Sequence, residues 1–446
     1  MESALPTISS QKHGSPLQVV MLAFDFPPFV GGGGSMRMRK LAKYLARDED
    51  IHLRVLTGGW ESRDADAAAL AGLEQIPLHV AASVPVRPDP GNRTPAKMLH
   101  VLGVVLRSLL QMPDNRFRFL PRLVSELRRL HREVPVDVVL ITSPPNSMSL
   151  MPPLVKALGP DSRVVLDVRD LWALDPLMRP DNALFRAVQR RMERWALSHA
   201  DAIVTVTPGY QRWLQGQLRG SVPVHLITNG YDEEDWRGLQ PQRVHPRRVL
   251  ISHAGSLGGI NGPRSLRPLA LALEILHQQH PALAERLAFQ FLGTVPPEEQ
   301  RELRKRAPGV EFTFTGFLSH RESLARLAAS DALCLLHFDL AHCELIYPGK
   351  LFEYYRLGLP LVAFTPPGLL EDFVRERDLG ECAAYGDAQA ICQAIIRLVK
   401  RLDAGPAYGG RREDVVEFER GALSARYAAL LKEVATSQAK GSPRRN

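Results

Sequence analysis

At 446 residues the chain is too long for one ordinary core and suits two domains of roughly 200 residues each. Hydrophobic residues make up 45% and charged residues 23%, which excludes fibrous and wholly disordered classes. The formal net charge of +8 is partly local: residues 97–132 hold eight Lys and Arg against Asp114 and Glu126, a patch suited to an anionic membrane surface or an anionic substrate.

No zinc-finger spacing, RNP-like aromatic motif or helix-turn-helix signal accompanies that charge, so nucleic acid is not an expected partner. The four cysteines, Cys334, Cys343, Cys382 and Cys392, form neither a C-x-x-C pair nor a metal-ligand spacing with histidine, which points to a reducing, cytoplasmic compartment. Residues 1–16 are polar and lack the apolar centre of a leader, so a disordered N-terminal segment is expected there. The longest apolar stretch, Met98–Leu110, is broken by Gly103 and Arg107 and is too short to span a bilayer.

In chain order, Leu17–Phe24 (LQVVMLAF) reads as a buried strand, followed by a glycine-rich turn, a helix over about Met36–Ala46 and a strand at Ile51–Leu56. Residues 58–75 read as a mobile loop. The spacing of Leu120, Val124, Leu127 and Leu130 predicts an amphipathic helix over 119–132. Strands are predicted at Asp137–Ile141, Arg163–Val168, Ala202–Val206 and His225–Ile227, with a helix over about 183–199. The stretch 237–248 has no periodicity and two prolines, which places an interdomain linker at 239–248.

The second half repeats the alternation. Strands are predicted at Val249–His253, Phe289–Leu292, Val310–Phe314, Leu333–His337 and Leu361–Phe364, with helices over about 263–279, 321–329, 349–357 and 388–402. Residues 414–434 read as one terminal helix and 437–446 as a disordered tail. Strands that alternate with helices predict doubly wound parallel sheets, one in 17–238 and one in 249–413.

Ligands of such sheets sit outside the carboxyl ends of the strands, so the residues after each strand are the candidates. After the first strand, Gly31–Gly34 and Arg37 open a helix whose backbone amides suit an anion; the alternative is a flexible turn. The third glycine of a dinucleotide fingerprint is replaced by Met36, and no Walker A sequence occurs. After DVVLI, Ser143 and Asn146 can bond sugar hydroxyls, or Ser143 or Ser147 can cap a helix. After RVVLD, the pair Arg169 and Asp170 is costly at the end of a buried strand unless it is satisfied, by function or by a structural ion pair. After VLISH, Gly255, Ser256 and Gly258 lie in a second glycine-rich turn suited to phosphate.

The most informative segment is YPGKLFEYYRLGLP, 347–360. Lys350 falls in the first turn of a short helix, where dipole and amides favour an anion. Glu353 follows three residues later on the same face. A cation for a diphosphate and a carboxylate for ribose hydroxyls fit one nucleotide; a solvated helix face is the plain alternative. No D-x-D motif directly follows a predicted strand, so no metal site of that kind is expected.

Taken together, FPPFVGGGGSMRMRKLAKYLA, DVVLITSPPNS, VVLDVRDLW, ADAIVTVTPGY, ITNGYDEEDW, PGKLFEYYRLGLPLVA and FERGALSARYAALL resemble, in order and over nearly the whole chain, glycosyltransferase family 4, retaining enzymes of the GT-B fold. The RDLW and P-x-K-x-F-E-Y patterns resemble the subgroup related to lipopolysaccharide, capsule and exopolysaccharide glycosyltransferases. The resemblance implies two facing Rossmann-like domains, with a C-terminal helix, 414–436, crossing back to the first. It implies that Lys350 binds the donor diphosphate and Glu353 the ribose, with Leu351 between them. It places Gly33 and Gly34 beside the diphosphate and Asp170, with Arg169, near the transferred sugar. The implied reaction is metal-independent transfer, with retention, from a nucleotide-sugar (a UDP-sugar foremost) to a lipid-linked or glycan acceptor at the inner face of a membrane, with no cofactor.

The sequence departs from the family pattern in three places. Arg169 stands where many members have histidine. The loop GSLGGINGP lacks the usual Arg and Lys. Leu345 replaces the usual glutamate eight residues before Glu353. Two other readings stay open: another GT-B enzyme, such as a nucleotide-sugar epimerase or an inverting transferase, and, from the missing loop Arg and Lys, an inactive binding or scaffold protein of polysaccharide assembly.

Overall fold

The computed structural model describes residues 15–27, 33–58, 60–61, 70, 72–81, 84–85, 113–158, 162–174, 183–241, 245, 247–258, 265–337, 340–405 and 414–437. The basic stretch before Pro113, the expected terminal tails, Gly31–Gly32 and most of the 58–75 loop lie outside these residues.

The strands are β1 Leu17–Leu22, β2 Ile51–Thr57, β3 Trp60–Glu61, β4 Leu78–Val80, β5 Val84–Pro85, β6 Val138–Ser143, β7 Arg163–Val168, β8 Ala202–Thr205, β9 Val224–Leu226, β10 Val249–Ala254, β11 Leu287–Leu292, β12 Glu311–Phe314, β13 Ala332–Leu336, β14 Leu361–Phe364 and β15 Gly380–Ala383. The helices are α1 Gly33–Leu45, α2 Leu120–Glu133, α3 Met151–Leu158, α4 Ala183–Leu197, α5 Pro208–Leu218, α6 Arg267–Gln279, α7 Pro281–Ala284, α8 Pro297–Arg306, α9 His320–Leu327, α10 Leu351–Leu357, α11 Leu369–Glu376, α12 Ala388–Asp403 and α13 Arg420–Thr436.

A seven-stranded sheet has the order β4-β2-β1-β6-β7-β8-β9 and a six-stranded sheet the order β12-β11-β10-β13-β14-β15. In the second, every neighbouring pair is parallel, from Val249 opposite Leu287 to Phe364 opposite Ala383. Parallel strands need a crossover, and helices supply it on both faces, so the strands are buried from both sides. Strand β13 shows the result. Ala332, Cys334 and Leu336 pack into one apolar cluster with Phe289 and Ile395. Leu333 and Leu335 face the opposite cluster with Tyr354 and Phe373.

Each sheet reverses its strand order once, between β1 and β6 in the first and between β10 and β13 in the second. At such a reversal the flanking crossovers leave in opposite directions and open a crevice at the carboxyl ends.

Helix α2 realises the amphipathic pattern: Leu120, Leu123, Leu127 and Leu130 are buried. On its outer side Arg129 pairs with Glu126 at 2.5 Å and with Glu133. The buried Arg54 guanidinium donates to the carbonyls of Leu130 (3.1 Å) and Val134 (3.2 Å), satisfying the end of that helix.

One expectation is corrected. Residues 414–434 are not one helix but a short turn, Val415–Phe418, and then α13. The break has a backbone cause. Tyr231 donates to Phe418 O at 3.0 Å and accepts from Arg420 N–H at 2.8 Å, which holds Glu419 extended. A Cβ on Gly230 would lie 2.1 Å from Phe418 O, so that pairing needs glycine. Along α13, Tyr427 donates to the buried Asp167 at 2.5 Å, and Lys432 donates to Asp48 at 3.0 Å and Asp50 at 2.9 Å. Both contacts are to the first sheet or its approaches.

Candidate active site

The reversal point of the second sheet lies at the ends of β10 and β13. Strand β10 ends in His253 and Ala254, and Gly255 follows with φ +132°, a region that favours glycine. The N–H groups of Gly255 and Leu257 are taken by the carbonyls of Leu292 (2.7 Å) and Thr294 (2.9 Å). Those two amides therefore do not form the anion cradle that the glycine-rich sequence suggested. Ser256 is exposed, its Oγ accepting from Thr294 N–H at 3.3 Å, and Gly258 is partly exposed.

The positive charge is supplied from elsewhere in the chain. Helix α10 buries Leu351, Phe352, Tyr354 and Tyr355 and ends at Gly358 in the left-handed region. Tyr354 packs completely, and its hydroxyl oxygen accepts the N–H of Ala254 at 2.9 Å, which ties the helix to the end of β10. One turn earlier, Lys350 reaches Gly255: a Cβ there would lie 2.2 Å from Lys350 Nζ. The lysine and the second glycine-rich turn, separate motifs in the sequence, thus form one place. Gly293, φ +143°, backs it from the other side, where a Cβ would lie 2.6 Å from Gly255 C.

On the partly exposed side of α10, Glu353 Oε1 lies 2.8 Å from His320 Nε2. The neighbouring Leu351 is fully buried and its N–H donates to Pro348 O at 2.9 Å, so its part is to anchor the helix.

Two histidines at the reversal point carried no role in the sequence reading. His253 is 2% exposed and donates from Nδ1 to Cys334 O at 2.9 Å; burial, with the nearby Lys350, holds its pKa well below the usual histidine range. His337 lies beside Thr365 Oγ1 at 3.2 Å, and burial pushes its pKa down to about 4. Both are neutral at physiological pH. The signal available in sequence was their position at the last residues of VLISH and LCLLH.

In the first sheet, Gly33 and Gly34 are the first two residues of α1, and Arg37 is buried in its second turn. Ser143 is buried; its hydroxyl donates to Pro145 O at 3.3 Å and accepts from Ser149 at 3.0 Å. The helical turn that begins at the buried Asn146 is satisfied by Asp114, which accepts from Ser147 N–H at 2.9 Å, so neither Ser143 nor Ser147 caps it. After β7, Arg169 lies 4.0 Å from the fully buried Asp167, and Asp170 is exposed. Glu193 of α4 reaches the same segment. It is 2% exposed, accepts from Ala173 N–H at 3.3 Å, and burial raises its pKa to about 7.

Two parallel α/β sheets, each with a reversal point, and a basic group lodged at one of them define a protein of the GT-B class. Comparison with known proteins agrees. Residues 32–230 match the family model described as Glycosyl transferase 4-like domain, and residues 265–401 match Glycosyl transferases group 1. The chain belongs to the glycosyltransferases. Among solved structures it is similar to sucrose-phosphate synthase from Thermosynechococcus elongatus, at 15% identity and TM-score 0.64 over 95% of this chain and 100% of that one. It is also similar to Anabaena Alr3699/HepE in complex with UDP and glucose, at 14% identity and TM-score 0.59 over 93% and 99%. A UDP-N-acetylglucosamine 2-epimerase shares the fold at 14% identity and TM-score 0.54 over 96% and 99%. No curated protein matches the sequence significantly.

Proposed function

We propose that the protein transfers a sugar, with retention, from a nucleotide-sugar, foremost a UDP-sugar, to a lipid-linked or polysaccharide acceptor. The observation that carries this is Lys350 Nζ lodged over the Cβ-less face of Gly255 at the reversal point of the second sheet, with Glu353 on the same short helix. An ammonium there neutralises a leaving diphosphate, whose charge grows as the glycosidic bond breaks. Glu353 accepts hydrogen bonds from ribose hydroxyls, exchanging its His320 contact for them. Arg169 and Asp170, after β7, are assigned to the transferred sugar. Gly33, Gly34, Ser256 and Gly258 are assigned to close approach of the donor, and Ser143 and Asn146 to shaping the acceptor side. The leaving phosphate takes the acceptor proton, and positioning and electrostatics supply the rest. The reaction proceeds without a metal.

Membrane approach belongs to the same proposal. No helix among the described residues is long and apolar enough to cross a membrane. Arg118, Arg122, Arg128 and Arg132 on and beside α2 are exposed, whereas Arg116 is held 3.3 Å from Asp25 and over the Phe24 ring. The exposed four are therefore the residues assigned to an anionic surface.

The test is a panel of UDP-, GDP- and ADP-sugars read by thermal shift and by release of the nucleotide, with EDTA in parallel. A donor at ~100 times its Kd stabilises by about 2.7 kcal/mol. A panel in which none shifts the transition overturns the donor assignment. Product with an inverted anomeric centre overturns retention, and EDTA-sensitive activity overturns metal independence. The epimerase neighbour gives the second reading a concrete outcome: epimerised nucleotide-sugar without an acceptor.

A further inference from the structure

Residue His253 has no assigned part in the donor site, and its geometry is specific. It is 2% exposed, in the strand that ends at the reversal point. Its Nδ1 lies 2.9 Å from Cys334 O. A carbonyl oxygen only accepts, so Nδ1 carries the proton and the neutral ring leaves a bare lone pair on Nε2. That Nε2 is buried and has no hydrogen-bond partner among the described residues. A buried acceptor without a partner is destabilising, and most such groups in folded proteins are satisfied.

The direction in which Nε2 faces supplies the partner. A Cβ built on Gly255 would lie 3.7 Å from His253 Nε2 and 2.2 Å from Lys350 Nζ. The lone pair and the ammonium thus border the same side-chain-free space, which exists because residue 255 is glycine. Cys334, whose carbonyl orients the ring, sits in β13, and Tyr354, on the lysine's own helix, bonds Ala254. Strand β13, strand β10 and helix α10 therefore hold the imidazole and the lysine in one frame.

We propose that His253 is a positioning residue for Lys350: when an anionic ligand docks, its Nε2 accepts one N–H of the ammonium across the face of Gly255 and aims the charge at the ligand. The arrangement needs a neutral imidazole, because an imidazolium would offer no acceptor and would repel the lysine. This inference rests on the donor-site reading above and deepens it, by giving the cation a fixed acceptor that aims it.

The experiment is calorimetric binding of UDP and of inorganic pyrophosphate to wild type and to His253→Phe, His253→Gln, Lys350→Ala and the His253→Phe/Lys350→Ala double variant. Thermal unfolding of each serves as a fold control. Phenylalanine keeps the ring and removes the acceptor, so affinity falls about tenfold or more, as for loss of a hydrogen bond to a charged group. Glutamine places an amide oxygen near the Nε2 position and retains most of the affinity. In the Lys350→Ala background His253→Phe adds less than about twofold, because the group it positions is gone. Wild-type affinity in a folded His253→Phe overturns the inference and leaves the donor site standing. Full additivity with Lys350→Ala, or a glutamine variant as weak as phenylalanine, also overturns it, since a merely structural histidine behaves that way. Wild type that binds neither UDP nor pyrophosphate overturns both the inference and the donor reading.

Discussion

The strand end after β7, one strand beyond the reversal of the first sheet, and the strand end after β10, at the reversal of the second, have opposite electrostatics. After β7 the segment carries its own charges and is held by buried acids. Asp167 is bonded by Tyr427, Arg169 lies near it, and Glu193 accepts the Ala173 N–H from inside the protein. After β10 the segment has no charge of its own. Its glycine makes room, and the cation comes from a distant helix aligned by Tyr354. In the reaction we propose, the acidic strand end would serve a sugar that gains positive character as its bond breaks, and the basic one the diphosphate that leaves. The difference also shows two ways to hold charge at a strand end, by burying and satisfying it locally or by lending it across the fold.

Removing the lent charge tests the comparison most severely. Lys350→Ala should lower kcat/KM by roughly 2–4 kcal/mol of transition-state stabilisation, as for loss of one preorganised donor. Steady-state kinetics on a variant with unchanged thermal unfolding is the check, and unchanged kcat/KM would return the site to a solvated helix face.

Glu193→Gln examines the acidic end. Its folded pKa of about 7 is raised above the ordinary carboxylate value, so between about pH 4.5 and 7 the native state binds more protons than the unfolded one. Wild-type stability therefore declines as pH rises through that window, by at most about 3 kcal/mol for a shift of this size. Urea unfolding at pH 5 and pH 8 should show a smaller decline in Glu193→Gln than in wild type. Equal declines would mean that the carboxyl ionises without cost and is not the buried clamp described.

Gly255→Ala separates room from charge. The new Cβ meets Lys350 Nζ at 2.2 Å and sits on a backbone at φ +132°. Strain of about 1–3 kcal/mol is expected in unfolding measurements. Donor affinity should fall along with it, because the lysine is pushed aside. Affinity that survives the strain would show that Lys350 acts from another position.

The smallest expected effect is that of Glu353→Gln. The amide still reaches ribose hydroxyls but as a neutral acceptor, so donor affinity should weaken by about tenfold or less, with little change in Tm. Titration with UDP against ribose-5-phosphate-free pyrophosphate localises the loss: it should appear for UDP and not for pyrophosphate. A loss common to both would assign Glu353 to the lysine's end of the ligand.

How much of this was legible in sequence differs element by element. Strands β7 and β14 are found where the residue pattern places them, because a continuous apolar run bounded by polar turns has few alternatives. The pattern did not register β4, β15 or helices α5, α8 and α11. Strand β15 begins with Gly380 and includes Glu381, and only its pairing with β14 makes it a strand. At the candidate site, Lys350 and Glu353 stood out because helix spacing puts them on neighbouring turns. The meeting of Lys350 with Gly255, the Tyr354 bond to Ala254 and the His320 contact with Glu353 were not legible, since each joins residues far apart in the chain.

Sequence alone determined the class of architecture, two alternations of strand and helix, and which residue types stood ready at the strand ends. Local periodicity and backbone preference act over a few residues and survive any packing that keeps the pattern. Tertiary structure decided which of those groups meet. It consumed the amides of the glycine-rich turn in a tie to residues 292–294 and broke the last helix at Glu419 against Tyr231. It also made His253 a neutral acceptor beside a lysine. Those outcomes depend on burial and on contacts across the sheet, where a neighbour's carbonyl or the absence of one Cβ sets the chemistry.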